Sequence, residues 1–321
     1  MYSKNSNVSE TIVVALGGNA ISREFEEGNI YQQFANTRRS LVGVVDMIAD
    51  GLNVIITHGN GPQVGNALIR VEEARHIVPP IPLGVLVADT EGGMGYMIEQ
   101  SLQNLLIRKG ISKRVVTILT QVVVDKNDPS ILDPTKFVGP FFNENEVEKI
   151  QKERRWQLKK DSDRGWRRVV PSPLPVEIVE YQTIRNLVND GVVVIACGGG
   201  GIPVYIEDDG TYEGIDGVID KDRASAVLGI NIGAQKLFIL TAVEKVALNF
   251  GTKDQKDIDK MTVMEAKRYF DEGHFPAGSM GPKIEAAIQF IEGGGKEVLI
   301  TSIEKLGEAR RGMTGTKIVP S

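Results

Sequence analysis

One cysteine and three histidines in 321 residues exclude a disulfide framework and a Cys/His zinc site. With no second cysteine to pair with, the expected compartment is reducing, and the cytoplasm is the default. No run approaches the roughly 20 apolar residues that a membrane-spanning helix needs. Met1–Glu10 is polar and the apolar run Thr11–Leu16 is too short for a signal segment, so a soluble intracellular protein without a membrane partner is expected. A one-sided charge is also missing. The 37 basic residues stand against 42 acidic ones, a net charge of -5 that demands no polyanionic partner. Two nucleotide signatures are absent as well. There is no G-x-x-x-x-G-K-[ST], and Leu16-Gly-Gly-Asn-Ala20 is not G-x-G-x-x-G, which excludes a P-loop and weakens a dinucleotide oxidoreductase.

Glycine is plentiful, with 35 residues, most of them at the ends of apolar runs rather than in a repeat. Those runs are Thr11–Leu16, Asn53–Thr57, Arg114–Val124, Gly191–Cys197, Leu237–Leu240 and Glu297–Thr301. They are β-branched and continuous rather than alternating, which predicts strands covered on both faces, as in a parallel sheet. Between them, Asn36–Ala49, Glu99–Arg108, Val176–Asn189 and Pro282–Ile291 carry helical spacing and stop at or near Gly51, Gly110, Gly191 and Gly293. Strand–helix alternation over nearly the whole length predicts an α/β fold, a three-layer αβα sandwich on a mainly parallel sheet with right-handed crossovers.

Residues 125–175 break the pattern. This stretch has no long apolar run, several prolines and both tryptophans, Trp156 and Trp166, among the charges of Lys149–Arg168. A structureless insert of that length is uncommon in a compact domain, so a small protruding subdomain is expected. Basic residues interleaved with aromatics can mark nucleic-acid binding. The acidic remainder of the chain favours a helix and hairpin capping a cleft instead, with Glu153, Asp161 and Asp163 offsetting part of the charge.

Three strand ends run into glycine: Gly17-Gly18-Asn19, His58-Gly59-Asn60-Gly61-Pro62, and Gly198-Gly199-Gly200-Gly201. Such turns bring backbone N–H groups close to an anion, at the strand ends where open α/β sheets bind ligands. Lys221-Asp222 opens one helix, and Lys283 follows Pro282 at the start of another. An ammonium at a positively biased helix start is poorly placed for a structural role and well placed to neutralise a transferring phosphoryl group. His58, His274 and Cys197 are expected to be, respectively, a bystander on the anion loop, a helix cap and a small buried hydrophobe. Glu91-Gly-Gly-Met-Gly-Tyr96 is expected to let a helix pack closely on a neighbour.

Val14-Ala-Leu-Gly-Gly-Asn-Ala20, Thr57-His-Gly-Asn-Gly-Pro-Gln-Val-Gly65, Val218-Ile-Asp-Lys-Asp-Arg-Ala-Ser225 and Ala277-Gly-Ser-Met-Gly-Pro-Lys283 together resemble the carbamate kinases of the amino-acid kinase superfamily. Arg168-Val-Val-Pro-Ser-Pro173, Leu240-Thr-Ala-Val-Glu-Lys-Val246 and Asn249-Phe-Gly251 extend the resemblance from Thr11 to Pro320. It implies a reversible Mg²⁺-dependent reaction, ATP plus carbamate giving ADP plus carbamoyl phosphate, run in many bacteria towards ATP at the end of arginine breakdown. It implies one amino-acid kinase-like domain over 1–321, with a carbamate lobe over about 1–215 and a nucleotide lobe over about 216–321. A homodimer formed through the N-terminal lobe is implied too.

Carried over residue by residue, Gly17, Gly18 and Asn19 hold the nucleotide's terminal phosphates, with Met280 and Gly281 on the same side. Thr241, Ala242 and Val243 lie near the adenosine, and Gly59, Asn60 and Gly61 line the carbamate side. Lys221 and Lys283 flank the moving phosphoryl group, Asp222 orients both ammoniums, and Lys136 reaches in from a mobile protruding subdomain. No protein metal ligands are implied. Where many relatives place a lysine before the first glycine turn, this chain has Ala15, and Lys221 is the expected substitute. Phe137 stands where the family usually has proline. The alternatives are another small-carboxylate phosphotransferase of the same superfamily and a non-catalytic nucleotide sensor.

Overall fold

The computed structural model describes residues 9–321 apart from 24, 162, 163 and 277. Asp163 and Ala277, named above for charge and motif, lie outside the described residues, as does the side chain of Asn19. In chain order, β1 (Thr11–Leu16), α1 (Ile30–Ser40), α2 (Val42–Ala49), β2 (Asn53–His58), α3 (Gly61–Ala74), α4 (Leu83–Arg108), β3 (Val115–Thr117) and β4 (Gln121–Val124) come first. The protruding segment holds α5 (Pro129–Leu132), β5 (Lys136–Phe142), α6 (Val147–Arg154), β6 (Gln157–Lys160) and β7 (Trp166–Val170). Next are β8 (Pro175–Ile178), α7 (Tyr181–Asn189), β9 (Val193–Ile195), β10 (Ile202–Ile206), β11 (Tyr212–Gly214), α8 (Lys221–Ile232) and β12 (Lys236–Thr241). The chain ends through β13 (Val246–Leu248), β14 (Lys256–Ile258), β15 (Lys260–Thr262), α9 (Val263–Asp271), α10 (Gly281–Glu292), β16 (Glu297–Ser302), α11 (Leu306–Arg310) and β17 (Thr316–Val319).

Among the described residues the central sheet has eight strands in the order β15-β17-β16-β12-β1-β2-β9-β3. All its pairings are parallel except β16 with β17. Strand side chains alternate faces, so a continuous apolar run serves two cores at once. Val13, Ile55, Val194, Leu237 and Val298 enter one core under α7, α8 and α10. Their neighbours Ile12, Val14, Val54, Val193 and Leu299 enter the other, under α2, α4 and α11. This is the αβα sandwich the runs predict. No described helix is long and apolar enough to cross a membrane.

Three expected elements divide. Arg114–Val124 becomes β3 in the central sheet and β4 in a separate four-stranded sheet, with residues 118–120 between them in neither strand. Asn36–Ala49 is two helices meeting at Leu41. Val176–Asn189 is strand β8 followed by α7, where periodicity alone could not tell a short apolar strand from a helix start. Conversely, Glu99–Arg108 is only the end of the 26-residue α4, whose glycines allow close packing. A Cβ added at Gly95 would fall 2.2 Å from the Thr117 side chain.

Residues 125–175 hold two short helices, α5 and α6, and a three-stranded sheet, β5-β7-β6. This segment is more firmly docked than its polar composition suggests. Val138 and Val170 share a core with Val64 and Leu68 of α3 and with Leu83, Leu86 and Val87 of α4. Trp156 packs against that core, with the Arg168 and Arg154 guanidiniums 4.5 and 5.1 Å from its ring centroid. Those arginines pair with Asp216 at 3.0 Å and Glu72 at 2.5 Å. The interleaved basic and aromatic residues therefore engage one another and the body of the protein.

Candidate active site

In-register parallel pairing brings the glycine loops together. Leu16 lies opposite both His58 and Leu240, so the turns after β1, β2 and β12 leave the sheet at one edge. Gly17 spends its N–H on Leu240 O (2.9 Å), so its value is a missing side chain: a Cβ there would fall 2.6 Å from the same oxygen. Gly18 and Asn19 continue into a short 3₁₀ turn, Gly18–Ala20. A Cβ on Gly59 would lie 3.6 Å from Gly18 N and 3.8 Å from Lys221 Cδ, so two glycine turns and this lysine converge. Ala15 is buried, and the lysine that comes to these turns is Lys221, from the start of a helix.

Helix α8 presents that lysine. Asp220 caps the helix, accepting from Asp222 N (2.9 Å) and Arg223 N (3.2 Å), and Lys221 is the first helical residue. Ser225 Oγ and Thr57 Oγ1, 2.7 Å apart, tie α8 to β2. Asp222 is only 2 % exposed and holds Lys221 Nζ at 2.5 Å and Lys283 Nζ at 3.0 Å, one on each carboxylate oxygen. Burial alone would raise its pKa, but the two ammoniums keep it below the ordinary value. Lys283 reaches the cluster from the first turn of α10, where Pro282 occupies a helix-start position. The expected trio of Lys221, Asp222 and Lys283 thus forms one charge cluster around a buried carboxylate.

Next to Lys283 is a cavity of about 220 Å³ walled by Thr241, Ala242, Val243, Ala247, Phe250, Phe275, Pro276 and Met280. Lys245, paired with Asp259 at 2.5 Å, also lines it, and the apolar wall with these two lysines suits a flat heterocycle carrying phosphates. Gly281 forms the tight turn into α10, where a Cβ would lie 3.1 Å from Pro276 O. Phe250 entered the sequence reading only within a motif and Phe275 and Pro276 not at all, because single apolar residues in loops give no period to detect.

Lys136 is not joined to the charge cluster. It is exposed at the start of β5, opposite Val170 of β7. Pro171, next along, accepts from Val218 N (2.9 Å), so the base of the subdomain abuts the segment leading to Lys221. Phe137 keeps its place in β5 and lies under the Arg167 guanidinium, 5.9 Å from its ring centroid. His274 closes the end of α9, near Glu272 (3.2 Å) and edge-on to Tyr269, as expected of a cap. Cys197 is fully buried.

The Gly59–Gly61 loop is backed by buried groups. Asn60 donates to Thr90 Oγ1 (3.0 Å), while His58 is wholly buried with Nε2 unpartnered. Burial holds the His58 imidazole down to about 4, against the opposing hydrogen bond to Gly59 O. Glu91 is 1 % exposed, and burial pushes its carboxyl from 4.5 to about 8, against N–H donations from Thr120 and Gly198. Between those values the native protein keeps a proton that the unfolded chain has released, so stability falls as pH rises through the window. The melting temperature of Glu91→Gln relative to the parent is therefore expected to climb between about pH 5 and about pH 8, then level off. A difference that stays flat with pH would contradict the raised carboxyl.

The model of the amino acid kinase family matches residues 10–302. The carbamate kinase of Pyrococcus horikoshii is 48% identical over 313 residues, 97% of this chain and 99% of that protein. The carbamate kinase-like protein YahI of Escherichia coli is 47% identical over 315 residues, 97% of this chain and 99% of that protein. Among solved structures, carbamate kinase from Giardia lamblia bound to AMP-PNP is similar with a TM-score of 0.93 and 38% identity, covering 97% of this chain and 99% of that one. The chain belongs to the amino acid kinase family, as a phosphotransferase of its carbamate kinase branch.

Proposed function

We propose that the protein catalyses ATP + carbamate = ADP + carbamoyl phosphate, with the nucleotide entering as its Mg²⁺ complex. The observation that carries this reading is Asp222, buried between two ammoniums where the glycine turns converge. A carbamate oxygen attacks the terminal phosphorus, the bond from phosphorus to the bridging oxygen breaks, and its electron pair stays on ADP. No proton need move, because the attacking oxygen is already anionic, and His58 is not required as a base. Lys221 and Lys283 neutralise the equatorial oxygens, and Asp222 keeps the two cations aimed without neutralising them for the substrate. Gly18 and Asn19 face the phosphates, and Thr241, Ala242, Val243 and Met280 enclose the adenosine. Gly59, Asn60 and Gly61 receive carbamate, with Lys136 as its cation. Both Asp222 oxygens are committed to ammoniums, and the described residues form no His, Cys, Asp or Glu group arranged for a metal. The Mg²⁺ is accordingly read as part of the nucleotide substrate.

The physiological direction inferred is ATP synthesis at the end of arginine catabolism, in the cytoplasm, by a homodimer. Val85, Tyr96 and Ile107 recur at an eleven-residue spacing on α4 and are exposed, a stripe that a second N-terminal lobe would cover. The direct test is ATP formation from ADP and carbamoyl phosphate, with and without Mg²⁺, on the purified chain. In the forward direction a carbamate side lined by the Gly59–Gly61 backbone should be small, admitting carbamate and excluding acetylglutamate and aspartate. Phosphorylation of either at a rate rivalling carbamate would assign the chain to another substrate. Nucleotide binding without any transfer would make it a sensor.

A further inference from the structure

The Gly198–Gly201 turn supplies none of the assigned contacts, yet it is wedged between two segments that do. A Cβ on Gly199 would fall 2.1 Å from Asn60 Nδ2, and one on Gly200 would fall 2.3 Å from Ile219 O, two residues before Lys221. A Cβ on Gly198 would meet His58 Nε2 at 2.5 Å and Glu91 Cγ at 2.8 Å. The turn thus touches the carbamate-side loop on one flank and the approach to Lys221 on the other.

Its backbone is also strained. Cys197 has φ 51°, and Gly199, Gly200 and Gly201 have φ 68°, 97° and 84°. A non-glycine residue in the left-handed region persists only when its surroundings fix it. Two side chains do so here. Glu91 Oε1 accepts from Gly198 N (2.8 Å) and its Oε2 from Thr120 N (3.2 Å). Thr120 Oγ1 accepts from Cys197 N (2.9 Å), and Thr120 O accepts from Ile202 N (2.8 Å) beyond the turn. Thr90, next to Glu91 on α4, holds Asn60. A buried carboxyl could be avoided with an apolar residue if packing were all that mattered.

We propose that Glu91, assisted by Thr120, is a positioning residue: through the main-chain N–H groups it satisfies, it fixes the Gly198–Gly201 turn and thereby sets both the Gly59–Gly61 loop and the start of α8 for phosphoryl transfer. The inference rests on the carbamate-side reading above. It separates Glu91 from the adenosine cavity, whose walls contain no part of this turn.

The experiment uses the full-length chain with ADP and carbamoyl phosphate, measuring kcat, the KM for carbamoyl phosphate, and ADP affinity by calorimetry. Glu91→Leu strands two buried N–H groups and should lower kcat/KM for carbamoyl phosphate by about 10²-fold, the scale of a small misplacement at a reacting centre. ADP affinity should stay within about twofold, and Glu91→Gln, which keeps an acceptor for Gly198 N–H, should recover activity to within about tenfold of the parent. Thr120→Val removes the separate acceptor for Cys197 N–H and should give the same split, more weakly. If Glu91→Leu does not fold, the Thr120→Val and Glu91→Gln measurements decide. Wild-type KM and kcat in a folded Glu91→Leu, or in Thr120→Val, would overturn the proposal, as would ADP affinity falling in step with turnover. A parent protein that makes no ATP would remove the functional reading, and this inference with it. An active parent beside equally active variants would remove this inference alone.

Discussion

Lys221→Ala and Lys283→Ala should each lower the rate of ATP formation from ADP and carbamoyl phosphate by about 10²–10³-fold, the usual cost of deleting one preorganised donor. The expectation comes from charge and geometry together. Both ammoniums lie on a carboxylate that is itself almost wholly buried, so each points where the carboxylate directs it. Each deletion also carries a stability cost, because Asp222 loses half its compensation in a site where an uncompensated charge is expensive. Breaking a buried pair outright costs about 3–5 kcal/mol, and the remaining ammonium should keep these variants below that range. Asp222→Asn should be at least as damaging to turnover, since two ammoniums would then face each other without the anion between them. The checks are turnover by the coupled assay and a thermal melt on each variant. Retention of more than about half the parent rate in either lysine variant would refute the clamp, whatever the melt shows.

Lys136→Ala is expected to weaken use of carbamoyl phosphate by about 10-fold or more while leaving ADP affinity within about twofold. Lys136 sits at the start of β5, exposed, with none of the described residues as an ion-pair partner. A cation without a protein partner beside the segment that leads to Lys221 is available to a small anion. Calorimetry with ADP and steady-state kinetics with carbamoyl phosphate separate the two effects. Parallel loss of both, or of neither, would make the subdomain scaffold rather than cover. Excising residues 125–175 is a poorer test, because it would strip Val138, Val170 and Trp156 from the core that also contains Leu68 and Leu86. The ion pairs to Glu72 and Asp216 mark where the cover would have to let go if it moves. Substituting Glu72 by Gln should therefore loosen the subdomain without unpacking that core.

Much of the chain was legible before any coordinates. Continuous β-branched runs meant two-faced strands, because only a strand buried on both sides can afford no polar alternation, and the cores around Val13 and Val14 follow directly. The glycine turns and the lysines at helix starts were legible for a similar reason. Phosphate chemistry needs bare backbone and fixed cations, and both leave marks in a linear sequence. What a sequence does not contain is the partner of each group. That Asp222 spends one oxygen on each lysine depends on α8 and α10 crossing at their N-termini, residues 61 positions apart in the chain. That Glu91 braces a turn 107 residues away depends on α4 lying under it, and in the sequence it reads as one carboxylate before a pair of glycines. The break between β3 and β4, the strand hidden in Val176–Asn189 and the docking of the polar insert failed for the same cause. Local pattern fixes which face of an element is apolar. Which neighbour meets that face, and which buried polar group is satisfied by it, is settled only when distant segments pack.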